Sequence, residues 1–276
     1  MNTKEIWMEH GYLDALDVCT RYVLHFQRML VYQVWNSDEM AAAVSRLNEL
    51  EMNQPDGKFP SPVLNPHLTY PFIAELCVQN SLLEVVSSLI GPNIVLLSST
   101  LFIKYPSDSV GPKYVGAHQD LKYWGLQGSP DSEVTAWLAL DSAGSHNGSL
   151  CFLPGSHKRG LLDHGRGDRK QNMLQENQNI SLTKEEEDQL VQSELDSGQA
   201  SLHHGLMVHL SPPNMSKERR AGLQIIFTIP EMKLVEQTYT NKYDKEWRLP
   251  VLVKGEDKSG QMKYVTDIKQ ILDQDF

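Results

Sequence analysis

Apolar positions along the chain change their spacing about a third of the way in. Tyr22, Val23, Phe26, Met29 and Leu30, then Met40 through Leu50, recur with helical periodicity, so residues 12–52 are expected to be largely helical. Ser37, followed by Asp38 and Glu39, reads as a helix cap with acids in the first turn. Pro, Gly, Asn and Asp crowd residues 55–66, which reads as loop. Helical spacing returns over 73–89 and stops at Gly91–Pro92. Beyond that point, 94–105, 134–140, 149–153, 199–204 and 221–229 are short runs rich in β-branched and aromatic residues, separated by turn signals. Many short strands parted by turns predict a sandwich or barrel, not alternating βαβ units. The acidic, polar stretch 184–195 is expected to be an exposed helix or a lid.

Length and charge narrow the function. The 276 residues, 40% of them apolar, suffice for one large domain with a sizeable core. A net charge of −10 argues against a polyanion-binding surface, so no nucleic-acid partner is expected. No run reaches the ~18 apolar residues of a membrane span, and the N-terminus lacks a secretory pattern. Cys19, Cys77 and Cys151 are odd in number and widely spaced, as in reduced thiols of a cytoplasmic protein.

The richest short segment is Ala117-His118-Gln119-Asp120-Leu121. On a strand, His118 and Asp120 would share one face, offering two ligands of a facial triad of two histidines and a carboxylate. Such a pair is also a common surface feature, so a third ligand is needed. His203, His204 and His209 are the candidates, and buried histidines need partners. His209 is favoured by its sequel, since Ser211 follows at strand parity and Arg220 lies beyond a Pro-Pro-Asn turn. A guanidinium and a hydroxyl together can hold the far carboxylate of a chelating 2-oxo acid.

These motifs, with Trp137 and the stretch Asn147 to Gly160 (NGSLCFLPGSHKRG), resemble the phytanoyl-CoA dioxygenase family of Fe(II)- and 2-oxoglutarate-dependent oxygenases. The likeness covers roughly 67–229, including 89–106. It implies a mainly β fold with flanking helices, built on a double-stranded β-helix (a jelly-roll, cupin-like core). One domain over 1–276 is expected, with a helical part to about 92, the β core over 93–232 and an extension over 233–276. The resemblance implies that His118, Asp120 and His209 hold Fe(II). It likewise implies that Arg220 and Ser211 hold 2-oxoglutarate, that Trp137 and Thr100 line its pocket, and that O2 is consumed. A family branch with Gly or Ala at the carboxylate position halogenates. Asp120 is present here, which favours hydroxylation. Asn147–Gly148 reads as a hairpin turn, and His157 as part of a structural turn rather than a ligand.

The substrate is expected to be a small molecule. Lys122, Tyr123 and Trp124 follow the first two ligands, and a cation beside aromatic rings suits a small zwitterion resembling an aminoalkylphosphonate. The alternative is an acyl-CoA or natural-product intermediate, for which Lys158, Arg159, Arg166, Arg169 and Lys170 could meet phosphates. A non-enzymatic cupin-like binding protein is the competing class, but it leaves Ser211 and Arg220 without a role. A His–Asp hydrolase lacks a nucleophile elbow.

Overall fold

The computed structural model describes residues 3–13, 32–33, 35–167, 170–174, 178–235, 250–264 and 266–273. Eight strands form the core: β1 (Ile94–Lys104), β2 (Val115–His118), β3 (Glu133–Ala139), β4 (Cys151–Phe152), β5 (Val191–Gln192), β6 (Gln199–His204), β7 (His209–Ser211) and β8 (Arg220–Thr228). They pair antiparallel in a nested order: β1 with β8, β2 with β7, β3 with β6, β4 with β5. Lateral pairing of β3 with β8 and of β4 with β7 completes two facing sheets. This is the double-stranded β-helix that the family resemblance implies, and it meets the sandwich or barrel expected from the strand pattern. Short strands lengthen the main sheet: Tyr12–Leu13 and Tyr32–Gln33 pair with β6, while Val63–Leu64 and Val251–Lys254 pair with β1.

Period-two alternation divides the main sheet into unlike faces. Leu101, Ile103, Val134, Ala136, Leu138, Leu202, Ala221, Leu223 and Ile225 point to the outer face and join one apolar cluster with the helices. The intervening positions, Thr100, Lys104, Thr135, Trp137, His203, Arg220 and Gln224, turn inward between the sheets. A fully buried Leu or Ile contributes about 1.5–3 kcal/mol, so the helix-covered face anchors the fold and leaves the inner face free for chemistry. On the far side of the smaller sheet, Ala117, Leu153, Ile180 and Val208 pack under Leu162, Leu182, Leu190 and Leu210.

The helices depart from the expected outline at identifiable places. The helix Ser37–Met52 is capped by Asn36, not Ser37: its side chain accepts from the backbone N–H groups of Asp38 and Glu39, and Glu39 returns the contact. An Asn cap of this kind contributes about 1 kcal/mol. Residues 12–13 and 32–33 are strands, contrary to the helix expected from residue 12, and the part of that expectation over 14–31 lies outside the described residues. The helix expected over 73–89 is two, Pro71–Cys77 and Asn80–Ile90, meeting at 44°. The acidic stretch 184–195 is neither a long helix nor a free lid. Its single helical turn, Lys184–Glu187, has a capping box from Thr183, and β5 then pairs with β4. Among the described residues no single helix is long and apolar enough to cross a membrane.

Candidate active site

β2 and β7 set His118 opposite His209, as register partners. The strand ends at His118, and Asp120 opens the one-turn helix Leu121–Trp124. The expected strand alternation therefore stops short of Asp120. The helical turn nonetheless brings its carboxylate back to the histidines, and Lys122, Tyr123 and Trp124 all line the same cavity. One ligand atom each from His118, Asp120 and His209 lies within 4.8 Å of the others, all three side chains being buried. Nδ1 of His118 lies 2.8 Å from the Gly116 carbonyl, and Nδ1 of His209 lies 3.0 Å from that of Met207. A carbonyl only accepts, so each Nδ1 carries the proton and each Nε2 keeps its lone pair. His118 Nε2 is 3.3 Å and His209 Nε2 3.8 Å from Asp120 Oδ1. Two imidazole lone pairs and one carboxylate oxygen thus converge, a donor set suited to a divalent transition metal. Fe(II) fits these residues.

Asp120 is crowded by donors on its other oxygen. Thr135 Oγ1 donates to Oδ2 at 2.8 Å, His203 Nε2 lies 3.2 Å away, and Gln224 Nε2 is 3.3 Å away. Burial alone would raise the Asp120 pKa, but the imidazoles of His209, His118 and His203 outweigh it and hold the carboxyl well below its usual range. His203 thus meets a carboxylate through Nε2 while its buried Nδ1 has no partner, and its ring lies tilted against His209 with centroids 4.3 Å apart. His204 turns away, to Asp131 at 3.2 Å, and His157 contacts the Met8 carbonyl at 3.2 Å.

Glu133 was not singled out by its sequence context. It is fully buried on β3, and its Oε1 lies 3.2 Å from the same Thr135 hydroxyl. That hydroxyl has one proton, given to Asp120, so a protonated Glu133 completes the chain as donor. Burial first, and then the charge on Asp120, raise the Glu133 pKa well above 4.5. Folding therefore takes up a proton wherever the unfolded carboxyl is ionised, and the native state loses stability as pH rises from about 4.5 through the folded pKa. Glu133→Gln removes that dependence. In the metal-free protein its melting temperature should exceed that of the unsubstituted chain at about pH 8, and the gap should narrow toward about pH 5. A gap independent of pH in thermal melts would contradict a protonated Glu133.

A cavity of about 420 Å³ opens beside the three ligand atoms, lined by Thr100, Trp137, Ser211 and Arg220, all candidates from the sequence. Arg220 is fully buried: Nη2 donates to Ser211 Oγ at 2.9 Å and to the Gly148 carbonyl, leaving Nε with no partner. Its guanidinium lies 5.0 Å from the Trp137 ring centre, a cation–π distance. Gly222 makes room for that indole, since a Cβ there would sit 2.0 Å from Trp137 Cζ2. Burial pushes Arg220 down to about 10, with Asp141 opposing, so it stays charged at neutral pH. Gly148 owes its φ of +77° to the Asn147 turn, whose side chain accepts from Gly144 N and donates to the Ser142 carbonyl.

Lys104 is a second buried basic side chain at this end. It is the register partner of Arg220, and its Nζ donates to the Ser211 carbonyl at 2.9 Å. Burial, and then the charge of Arg220, hold its pKa well below the usual lysine range. Strand parity with Thr100 was the signal available for it. A buried guanidinium with an orphaned N–H, beside a basic amine whose charge an incoming anion would restore, fits an acid whose carboxylate enters between them. Gln119 acts from behind the site. Its side chain donates to the Gly160 and Leu206 carbonyls and accepts from Leu162 N, pinning the 160–164 loop to the ligand strand.

The sequence profile of the phytanoyl-CoA dioxygenase family matches residues 15–222. The chain belongs to that family. Among the family's relatives, it is 31% identical over 166 residues to a probable alpha-ketoglutarate-dependent hypophosphite dioxygenase of Stutzerimonas stutzeri, covering 59% of this chain and 55% of that protein. It is 27% identical over 173 residues to a methylphosphonate hydroxylase of Gimesia maris, covering 62% and 59%. The aligned segments thus span little more than half the length of these curated relatives. A solved non-heme monooxygenase, ThoJ, superposes with a TM-score of 0.69 at 22% identity, covering 98% of this chain and 92% of that one, which establishes the shared fold.

Proposed function

We propose that this chain is an Fe(II)- and 2-oxoglutarate-dependent dioxygenase that hydroxylates an unactivated C–H bond of a small organic substrate. The observation that carries the reading is the convergence of His118, Asp120 and His209 beside a cavity whose far end holds Arg220 and Lys104. His118 Nε2, His209 Nε2 and one Asp120 oxygen hold the metal, while Thr135, His203 and Gln224 fix the carboxylate's orientation. Arg220, Ser211 and Lys104 take the distal carboxylate of 2-oxoglutarate, with Trp137 and Thr100 walling its pocket. With Fe(II) and O2, 2-oxoglutarate supplies the chemistry: it leaves as succinate and CO2, and one oxygen atom of O2 enters the substrate C–H bond. The protein's task is to place that bond near the metal and keep water out, which the buried ligands and the aromatic wall of Tyr123 and Trp124 serve.

A phosphonate-type substrate draws support from relatives named for hypophosphite and methylphosphonate, neither of which carries the amine of an aminoalkylphosphonate-like zwitterion. The acyl-CoA reading loses most of its basic cluster. Lys158 is paired with Glu9 and Arg159 with Glu186, Arg169 lies outside the described residues, and of these cations Arg166 alone lines the cavity. Cys77 and Cys151 are free, buried thiols, which supports work in the reducing cytoplasm. The test is turnover of carboxyl-labelled 2-oxoglutarate with a panel of alkyl- and aminoalkylphosphonates. The expected result is labelled CO2 release that needs both Fe(II) and O2, with hydroxylated product matching succinate mole for mole. Bound metal without any turnover of 2-oxoglutarate would favour the non-enzymatic cupin-like binding protein.

A further inference from the structure

The charges lining the cavity are lopsided. Lys104, Lys122, Arg166 and Arg220 face it against the single carboxylate of Asp120, in a chain whose net charge is −10. Lys104 and Arg220 form the inner pair, already assigned to 2-oxoglutarate. Lys122, half-buried, and Arg166, exposed, form an outer pair with no carboxylate partner among the described residues, whereas the exposed cations Lys158, Arg159 and Lys184 each have one.

We infer that Lys122 and Arg166 form a seat for an oxyanion on the substrate, and that the substrate is an acid with an apolar body and no ammonium group. This rests on the hydroxylase reading above and adds the substrate class to it.

Both cations stand on anchored backbone. Lys122 belongs to the helical turn that follows Asp120, and Arg166 to the strand Gly165–Arg166, paired with Gln178–Asn179. His164 joins the two regions. Its ring meets Tyr123 edge-on at 5.4 Å, its Nδ1 donates to the Leu162 carbonyl, and its Nε2 accepts from Gln119 N–H. With both ring nitrogens used inside the protein, His164 is held neutral as a wall and leaves anion recognition to the two cations. Asp163 is exposed and does not line the cavity. Asp120 is engaged by Thr135, His203 and Gln224, so an ammonium entering here would meet two cations and, among the described residues, no free carboxylate. Pro62, Leu64, Phe102 and Leu174 supply the apolar lining for the body of the acid. Lys122 is half-buried and Arg166 exposed, so the seat lies at the open side of the cavity, where a pair of like charges selects against the wrong sign as well as for the right one.

The probes are four six-carbon chains that differ in one end group: hexylphosphonate, hexanoate, hexanol and hexylamine. They are titrated into full-length protein loaded anaerobically with Fe(II) and 2-oxoglutarate, reading the visible charge-transfer band, and in parallel into metal-free protein, reading fluorescence of the cavity tryptophans. Both acids should bind about tenfold or more tighter than the alcohol, with the amine weakest, as expected for charge-assisted hydrogen bonds. The double variant Lys122→Gln/Arg166→Gln should lose about tenfold for the acids and nothing for the alcohol, with the charge-transfer band itself unchanged. Tighter binding of the phosphonate identifies a phosphorus oxyanion, and tighter binding of hexanoate a carboxylate. Amine binding equal to that of the acids, or acid binding untouched in the double variant, would overturn the seat. Acids that bind metal-free protein through Lys122 and Arg166 when no band ever forms would uphold the seat and overturn the hydroxylase reading instead.

Discussion

Asp120→Ala is expected to abolish hydroxylation and Fe(II) retention together, with the fold preserved. The expectation follows from what converges on one carboxylate. Its Oδ1 is the anionic member of the donor set with His118 and His209, and its Oδ2 takes the Thr135 proton and faces His203 and Gln224. Removing it leaves two neutral imidazoles for a divalent cation. It also strands the buried His203 N–H without its acceptor. Outer partners of a metal ligand commonly contribute 10–100-fold (order of magnitude), so losing the ligand itself should exceed that. Metal content after desalting and product formation are the readouts, with circular dichroism confirming that the sheets persist. Full activity in Asp120→Ala would refute the triad.

Arg220→Ala should raise the 2-oxoglutarate concentration needed for half-maximal turnover by well over tenfold, since a charge-assisted pair contributes ~1.5–3 kcal/mol. The loss is compounded because Lys104, its neighbour, then stands alone with its own charge suppressed by burial. Trp137 also loses the cation over its ring, and the Gly148 carbonyl loses a donor. The effect should fall on the cosubstrate requirement rather than on metal content, because no Arg220 atom belongs to the three-ligand cluster. Saturation kinetics in 2-oxoglutarate read this directly. An unchanged requirement would place the cosubstrate anchor elsewhere.

Strand parity pointed to part of the candidate site, and the family resemblance supplied the roles of Arg220, Trp137 and Thr100. His209 and Ser211, and Trp137 with its apolar neighbours, announce an inward and an outward face. Asp120 was identified by its motif although the strand stops before it, and a helical turn, not alternation, aims its carboxylate. Glu133 and Lys104 were missed for a common reason: a lone charged residue at a strand end reads as a solvated boundary, and burial becomes visible only when the partner strands are in place. Lys104 shares its parity with Thr100, so the inner-face pattern held the information. The helix expected over 12–52 fails at 12–13 and 32–33, which β6 recruits as strands, and holds over Ser37–Met52. Pairing with an exposed sheet edge is a tertiary choice that local spacing does not encode.

The most direct measurement is anaerobic addition of Fe(II) and 2-oxoglutarate to the metal-free protein, following the visible charge-transfer absorption of the chelate. The account predicts a band that forms in the unsubstituted chain, is absent in Asp120→Ala and His209→Ala, and needs far more 2-oxoglutarate in Arg220→Ala. A band of full strength in Asp120→Ala, or metal bound with no band in the unsubstituted chain, would contradict it.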